Sequence, residues 1–246
     1  MRSALLASLL AGLATGVGGL FVAVIPRWTR GMYDTLLGFS AGVMLAAGSI
    51  TLLGPTIWGN HLYWVAGGLV CGAALIFGLD RVVPHLEPHF APELSGRSKR
   101  LGLLMASALT LHHIPEGLAI GVAFGGQSPE YKSLGLVVAL AIGLQNIPEG
   151  LAVAMPLRHA GMSRLKAVMW SCASGLIEPV AAAVGYVFAR HVAPAVPFSL
   201  ALAAGAMIFV ASDQLIPESH QRAGAKAPSV GLVFGFVLVA TLTKAL

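Results

Sequence analysis

The feature that most limits what this chain can become is a succession of apolar runs, broken only by short clusters of Pro, Gly and charged residues. A helix needs about 20 mostly apolar residues to cross hydrocarbon. Lipid offers no water to the backbone, so each peptide group in such a run must find its partner within the protein. The runs predict eight helices at about 4–25, 33–53, 61–81, 101–124, 134–156, 165–189, 197–217 and 228–246. Only 10% of the 246 residues are charged, 57% are hydrophobic and the mean hydropathy is +0.82, against roughly 25% charged in a soluble domain. The reading is an all-α integral membrane protein in which residues 1–246 form one transmembrane domain. A loop at about 82–100 joins helices three and four.

A cleaved leader is set aside at the N-terminus, because the apolar run continues through Val24 to Pro26 and takes part in an internal repeat. Cys71 and Cys172 each lie inside an apolar run, where a thiol behaves as a small hydrophobe, so they suggest neither a disulfide nor a thiolate metal site. The net charge of +5 does not indicate nucleic acid, since the cations are scattered rather than gathered on one segment. Arg27, Arg30, Arg81, Arg97, Lys99, Arg100, Arg158, Arg164, Lys166, Arg222 and Lys226 follow the odd-numbered helices, eleven of the fifteen Lys and Arg. Arg2, Lys132, Arg190 and Lys244 fall on the other side. Positive residues favour the cytoplasm, so both termini are expected outside, with the lipid bilayer as surroundings and a bacterial inner membrane as the location. The 30 glycines permit close helix packing and a homodimer.

A gapless shift of 163 residues sets SAGVMLAAGSITLL on AAGAMIFVASDQLI, matching Ala41/Ala204, Gly42/Gly205, Met44/Met207, Ser49/Ser212 and Leu52/Leu215. The same shift sets GLVCGAAL on GLVFGFVL, and pairs Ser8/Ser171, Gly12/Gly175 and Leu13/Leu176. Helices one and six are an odd number apart. Helices 1–3 and 6–8 would therefore be inverted three-helix repeats around a central helix 4/5 pair, an architecture found in alternating-access transporters.

The central pair carries LHHIPEGLAIG at 111–121 and LQNIPEGLAVA at 144–154. On a helix, His112 and His113 fall within roughly 60° of Glu116, as Gln145 and Asn146 do with Glu149. Each helix thus aims three polar groups one way at membrane depth. Pro115 and Pro148 cannot donate to the carbonyls of Leu111 and Leu144, which loosens that turn. Glu178 before Pro179 adds a third intramembrane acid. Buried acids need a cation, protons or another partner. Imidazole with carboxylate suits Zn, Fe, Co, Ni or Mn, and the lack of thiolates argues against Cu(I). Met44 offers a thioether or packs as an ordinary apolar residue. Ser49, Thr51, Ser212, Asp213 and Gln214 line a path or bond between helices. His85, Glu87, His89 and Glu93 in the 82–100 loop hold metal transiently or belong to a solvated Pro-rich linker. Asp34 either draws cations from the site or complements a helix N-terminus.

HHIPEG and QNIPEG resemble the motif pair of the ZIP (Zrt/Irt-like protein) family of divalent metal transporters, and the resemblance covers essentially the whole chain. The Gln-Asn form of the second motif looks like the bacterial GufA-type branch. The resemblance implies two adjacent metal positions between helices four and five. One would use His112, Glu116, Gln145 and Glu149 with Met44 alongside. The other would use His113, Asn146 and Glu178 with the bridging glutamates. Some bacterial members have Asn where His113 stands and Asp where Asn146 stands, which alters the second donor set. Others have a His-Glu pair where this chain has Asp213-Gln214.

These readings converge on uptake of divalent metal ions into the cytoplasm, Zn²⁺ first and then Cd²⁺, Fe²⁺ or Mn²⁺, as transported substrate with no cofactor. Two alternatives compete. A membrane-embedded metal-dependent hydrolase would use a glutamate as base, but H-E-x-x-H is absent. A metal sensor would bind without moving the ion.

Overall fold

The computed structural model describes residues 1–25, 28–57, 62–90, 97–126, 130–191, 196–221 and 226–245, with side chains outside 82–109 and 130–132. The described chain folds into α1 (Arg2–Val24), α2 (Arg30–Ile57), α3 (Leu62–Phe90), α4 (Arg97–Gly125), α5 (Glu130–His159), α6 (Arg164–His191), α7 (Val196–Ser219) and α8 (Ala227–Ala245). Among the described residues seven of these, all but α4, are long and apolar enough to cross a membrane.

Local chemistry sets several ends. Thr29 begins α2 by accepting the amide of Met32, and Ser163 begins α6 by accepting that of Lys166. Between α5 and α6 the chain turns at Gly161, whose φ of +92° is costly for any residue with a Cβ. The expected loop at 82–100 is shorter than the sequence suggested: α3 continues to Phe90 and α4 starts at Arg97. A helix already nucleated inside the span adds further turns at little cost, which outweighs the signal from Pro84 and Pro88.

Three helices are interrupted. In α2 and α7 the α-helical ladder widens to π turns at Ala47–Leu52 and Ala211–Leu215. In α6 it breaks between Gly175 and Ile177, one residue before Glu178.

Helix neighbours fall into two groups. In one, α1 packs along α5 and α6, and α4 packs along the same two; in the other, α2 packs along α8 and α3 along α7. The groups meet where α2 faces α5 and α7 faces α4. Of the most apolar stretches of α2 and α5, 72% is buried, against 22% for α3 and α8, so α2 and α5 run through the middle. Outward faces carry large apolar side chains such as Tyr63, Val70, Leu165 and Val230, as lipid contact requires.

Glycine permits the tight crossings. A Cβ on Gly12 would overlap the carbonyl oxygen of Gly175, and one on Gly175 would overlap that of Gly12. Gly42 meets the carbonyl of Leu232 in the same way, and Gly205 that of Leu69. Such backbone approach is how helices gain contact where lipid supplies no hydrophobic drive. Gly42→Ala should therefore destabilise the protein by about 1–3 kcal/mol through overpacking, read as a lower thermal midpoint in detergent. Gly78→Ala, where no atom lies within 4 Å of the added carbon, should leave that midpoint unchanged or slightly raised.

Candidate metal centre

The i, i+1, i+4 spacing on α4 and α5 brings His112, His113 and Glu116 opposite Gln145, Asn146 and Glu149. Five of the six are fully buried and Glu149 is 1% exposed. Pro115 and Pro148 lie inside their helices without ending them. Two further helices close the cluster. The break in α6 starts a new helical segment at Ile177 and presents Glu178, fully buried, in its first turn. From α2 come Met44 and Ser40, also fully buried.

Hydrogen bonds hold these groups in one network. His113 Nδ1 lies 2.9 Å from Glu116 Oε2 and 3.1 Å from Glu178 Oε1. The amide of Gln145 donates to Glu116 Oε1. Asn146 Nδ2 donates to Glu178 Oε1 at 2.6 Å and to the Ala11 carbonyl at 2.8 Å, tying α5 to α6 and α1. Ser40 Oγ donates to Glu149 Oε1 at 2.6 Å, tying α2 to α5.

Most of the atoms left over are acceptors. Gln145 Oε1, Asn146 Oδ1, Glu149 Oε2, Glu178 Oε2, His113 Nε2 and both ring nitrogens of His112 are buried without a hydrogen-bond partner. Each amide NH₂ is used as a donor and each amide oxygen is left, and a neutral His112 holds one N–H and one lone pair, so lone pairs outnumber the donors left for them. An orphaned buried acceptor costs about 1–3 kcal/mol, more when charged. A divalent cation satisfies several of them at once. His113, Glu116 and Glu149 each place a potential ligand atom within 4.8 Å of the others.

Most of the remaining sequence candidates lie away from this cluster. Ser49 is half-buried and returns its hydroxyl to the Leu45 carbonyl of its own helix at 2.5 Å. Asp213 and Ser212 are exposed, whereas Gln214 donates to Asp80 at 2.7 Å and also reaches His112 of the cluster. Asp34 is buried at 7% exposure and lines a cavity of about 600 Å³ at the ends of α1, α5 and α7, together with Tyr33, His159 and Glu218. Thr51 bonds Thr243 at 2.7 Å beside a smaller cavity of about 270 Å³ at the opposite end of α2. His85 and His89 fall on the helical extension of α3, and their side chains lie outside the described residues. Cys71 and Cys172 are both free.

Ser40, Asp80 and Glu218 escaped the sequence reading. For Ser40 a signal existed: it stands one helical turn before Met44, on the same face. Asp80 and Glu218 follow no motif with a periodic partner.

Comparison with known proteins places this cluster in a family. Residues 91–243 match the family model described as ZIP Zinc transporter. The chain is 38% identical to Zinc transporter GufA of Myxococcus xanthus, with 100% of both chains covered. It is 37% identical to Zinc transporter ZupT of Corynebacterium glutamicum, covering 95% of each. With Zinc transporter ZIPB of Bordetella bronchiseptica the identity is 40%, over 95% of this chain and 78% of that protein. A multi-pass helical protein with two facing Pro-Glu helices and a buried cluster of lone pairs thus belongs to the ZIP zinc transporter family.

Proposed function

We propose that this protein carries divalent transition-metal ions, Zn²⁺ first, across a bilayer into the cytoplasm, and that the cluster between α4 and α5 binds them in transit. The observation that carries this reading is the set of buried, unpartnered lone pairs on His112, His113, Gln145, Asn146, Glu149 and Glu178. Nitrogen and oxygen donors in that mixture favour Zn²⁺ and its neighbours over Mg²⁺. The first position would use His112, Glu116, Gln145 and Glu149, with the Met44 sulfur alongside. The second would use His113, Asn146 and Glu178 with the shared glutamates. A hydrolase is not favoured, since Glu116 and Glu149 both belong to the ligand cluster and the relatives are named as transporters.

Eight spans in two inverted triplets around α4 and α5 are supported by paired contacts at the sequence offset of 163. Gly42 against Leu232 has its counterpart in Gly205 against Leu69, and Gly72 against Leu202 in Gly235 against Phe39. The π turns at Ala47–Leu52 and Ala211–Leu215 lie at equivalent positions. Such a repeat supports alternating access. The large cavity past Asp34 lies on the side of the positively charged connections, so it would be the cytoplasmic exit. At the other end, the Thr51–Thr243 bond would close the outer side.

In proteoliposomes, Zn²⁺ influx should fall at least about 100-fold with Glu116→Ala or Glu149→Ala, because removing a ligand costs more than the 10–100-fold typical of its supporting groups. Excess Mg²⁺ should not compete. Normal influx in either variant would overturn the assignment. In intact cells of a bacterial host, single cysteines appended to either terminus should react with a membrane-impermeant maleimide. Labelling only after lysis would place the termini in the cytoplasm and reverse the orientation.

A further inference from the structure

We infer that Ser40 is a positioning residue that limits Glu149 to one metal-facing oxygen and thereby favours small, four-coordinate ions over larger, six-coordinate ones. The inference rests on the reading of the cluster as a metal site. Ser40 is fully buried, and its hydroxyl donates to Glu149 Oε1 at 2.6 Å, within the short range of bonds from a hydroxyl to a charged carboxylate. The other oxygen, Oε2, is buried and unpartnered. With Oε1 turned to the Ser40 hydroxyl, Oε2 is the oxygen left fully open to whatever binds, and a two-oxygen grip on an ion competes with the Ser40 bond.

The neighbouring acid is held differently. Both oxygens of Glu116 are engaged, by Gln145 and His113, and both partners belong to the ligand cluster itself. Ser40 reaches Glu149 from α2, in the other helix group. At the sequence offset of 163, the residue equivalent to Ser40 on α7 is Ala203, which has no hydroxyl to offer Glu116.

Chemistry gives this asymmetry a consequence. Zn²⁺ completes a tetrahedral shell with single oxygens at about 2.0–2.2 Å. Mn²⁺ prefers an oxygen-rich octahedral shell, which a carboxylate helps to fill by offering both oxygens. Holding Oε1 away therefore penalises Mn²⁺ more than Zn²⁺. Mn²⁺ is a cleaner comparison than Cd²⁺, whose affinity would also respond to the Met44 sulfur.

The test measures initial influx of Zn²⁺ and of Mn²⁺ against concentration in proteoliposomes containing wild type, Ser40→Ala, Ser40→Thr or Glu149→Ala. Ser40→Ala should move the ratio of the two KM values about three- to tenfold toward Mn²⁺, the scale of one ordinary hydrogen bond. Ser40→Thr, which keeps the hydroxyl, should return the ratio to within about twofold of wild type. A purely structural role would weaken both ions equally, and an unchanged ratio in Ser40→Ala overturns the inference while leaving transport intact. If wild type moves no Zn²⁺, the transport reading fails instead. Equilibrium competition between Zn²⁺ and Mn²⁺ on the purified proteins then decides the role of Ser40 by the same ratio.

Discussion

Three carboxylates buried at membrane depth govern this fold. Glu116, Glu149 and Glu178 sit in a protein whose outward faces are apolar, where an unpaired negative charge costs several kcal/mol. Their environment answers with donors: Gln145 and His113 on Glu116, Ser40 on Glu149, Asn146 and His113 on Glu178. Those donors come from α2, α4 and α5, while the acids come from α4, α5 and α6. Satisfying the acids therefore draws four helices to one point. Glycine at the crossings, such as Gly117 of α4 against the Glu178 backbone of α6, removes the side-chain bulk that would hold those helices apart.

The irregular backbone follows the same logic. Non-helical or widened turns are tolerated at membrane depth only when protein surrounds them or a cavity solvates them. The break before Ile177 is packed against α1 and places Glu178 at the start of a helical segment, where its charge complements the segment's dipole. The π turns of α2 and α7 lie beyond the cluster, among buried residues such as Ala47, Leu52, Ala211 and Leu215.

Much of the candidate site was legible before any coordinates. Two copies of Pro-Glu-Gly preceded by paired polar residues put six groups on two helix faces, since 100° per residue leaves them nowhere else to point. Met44 was raised as a thioether on the repeated segment and Glu178 as an intramembrane acid, and both are buried at the cluster. Ser40 shares a helix face with Met44 but was missed, because a lone serine on an apolar helix most often bonds its own backbone, as Ser49 does. Its role depends on where α2 lies relative to α5. The extension of α3 through Phe90 was hidden by two prolines that read as loop.

By itself, the sequence determined the solvent this protein must live in, the approximate limits of most of its apolar helices, and which residues bear charge within them. These properties are local, set by run length, composition and helical periodicity. Tertiary structure alone decided which oxygens of those acids are capped and which remain open, that Glu178 joins the cluster, and that Ser40 bonds Glu149. Such choices depend on distances between helices far apart in the chain, and side-chain packing sets those distances rather than any periodic pattern.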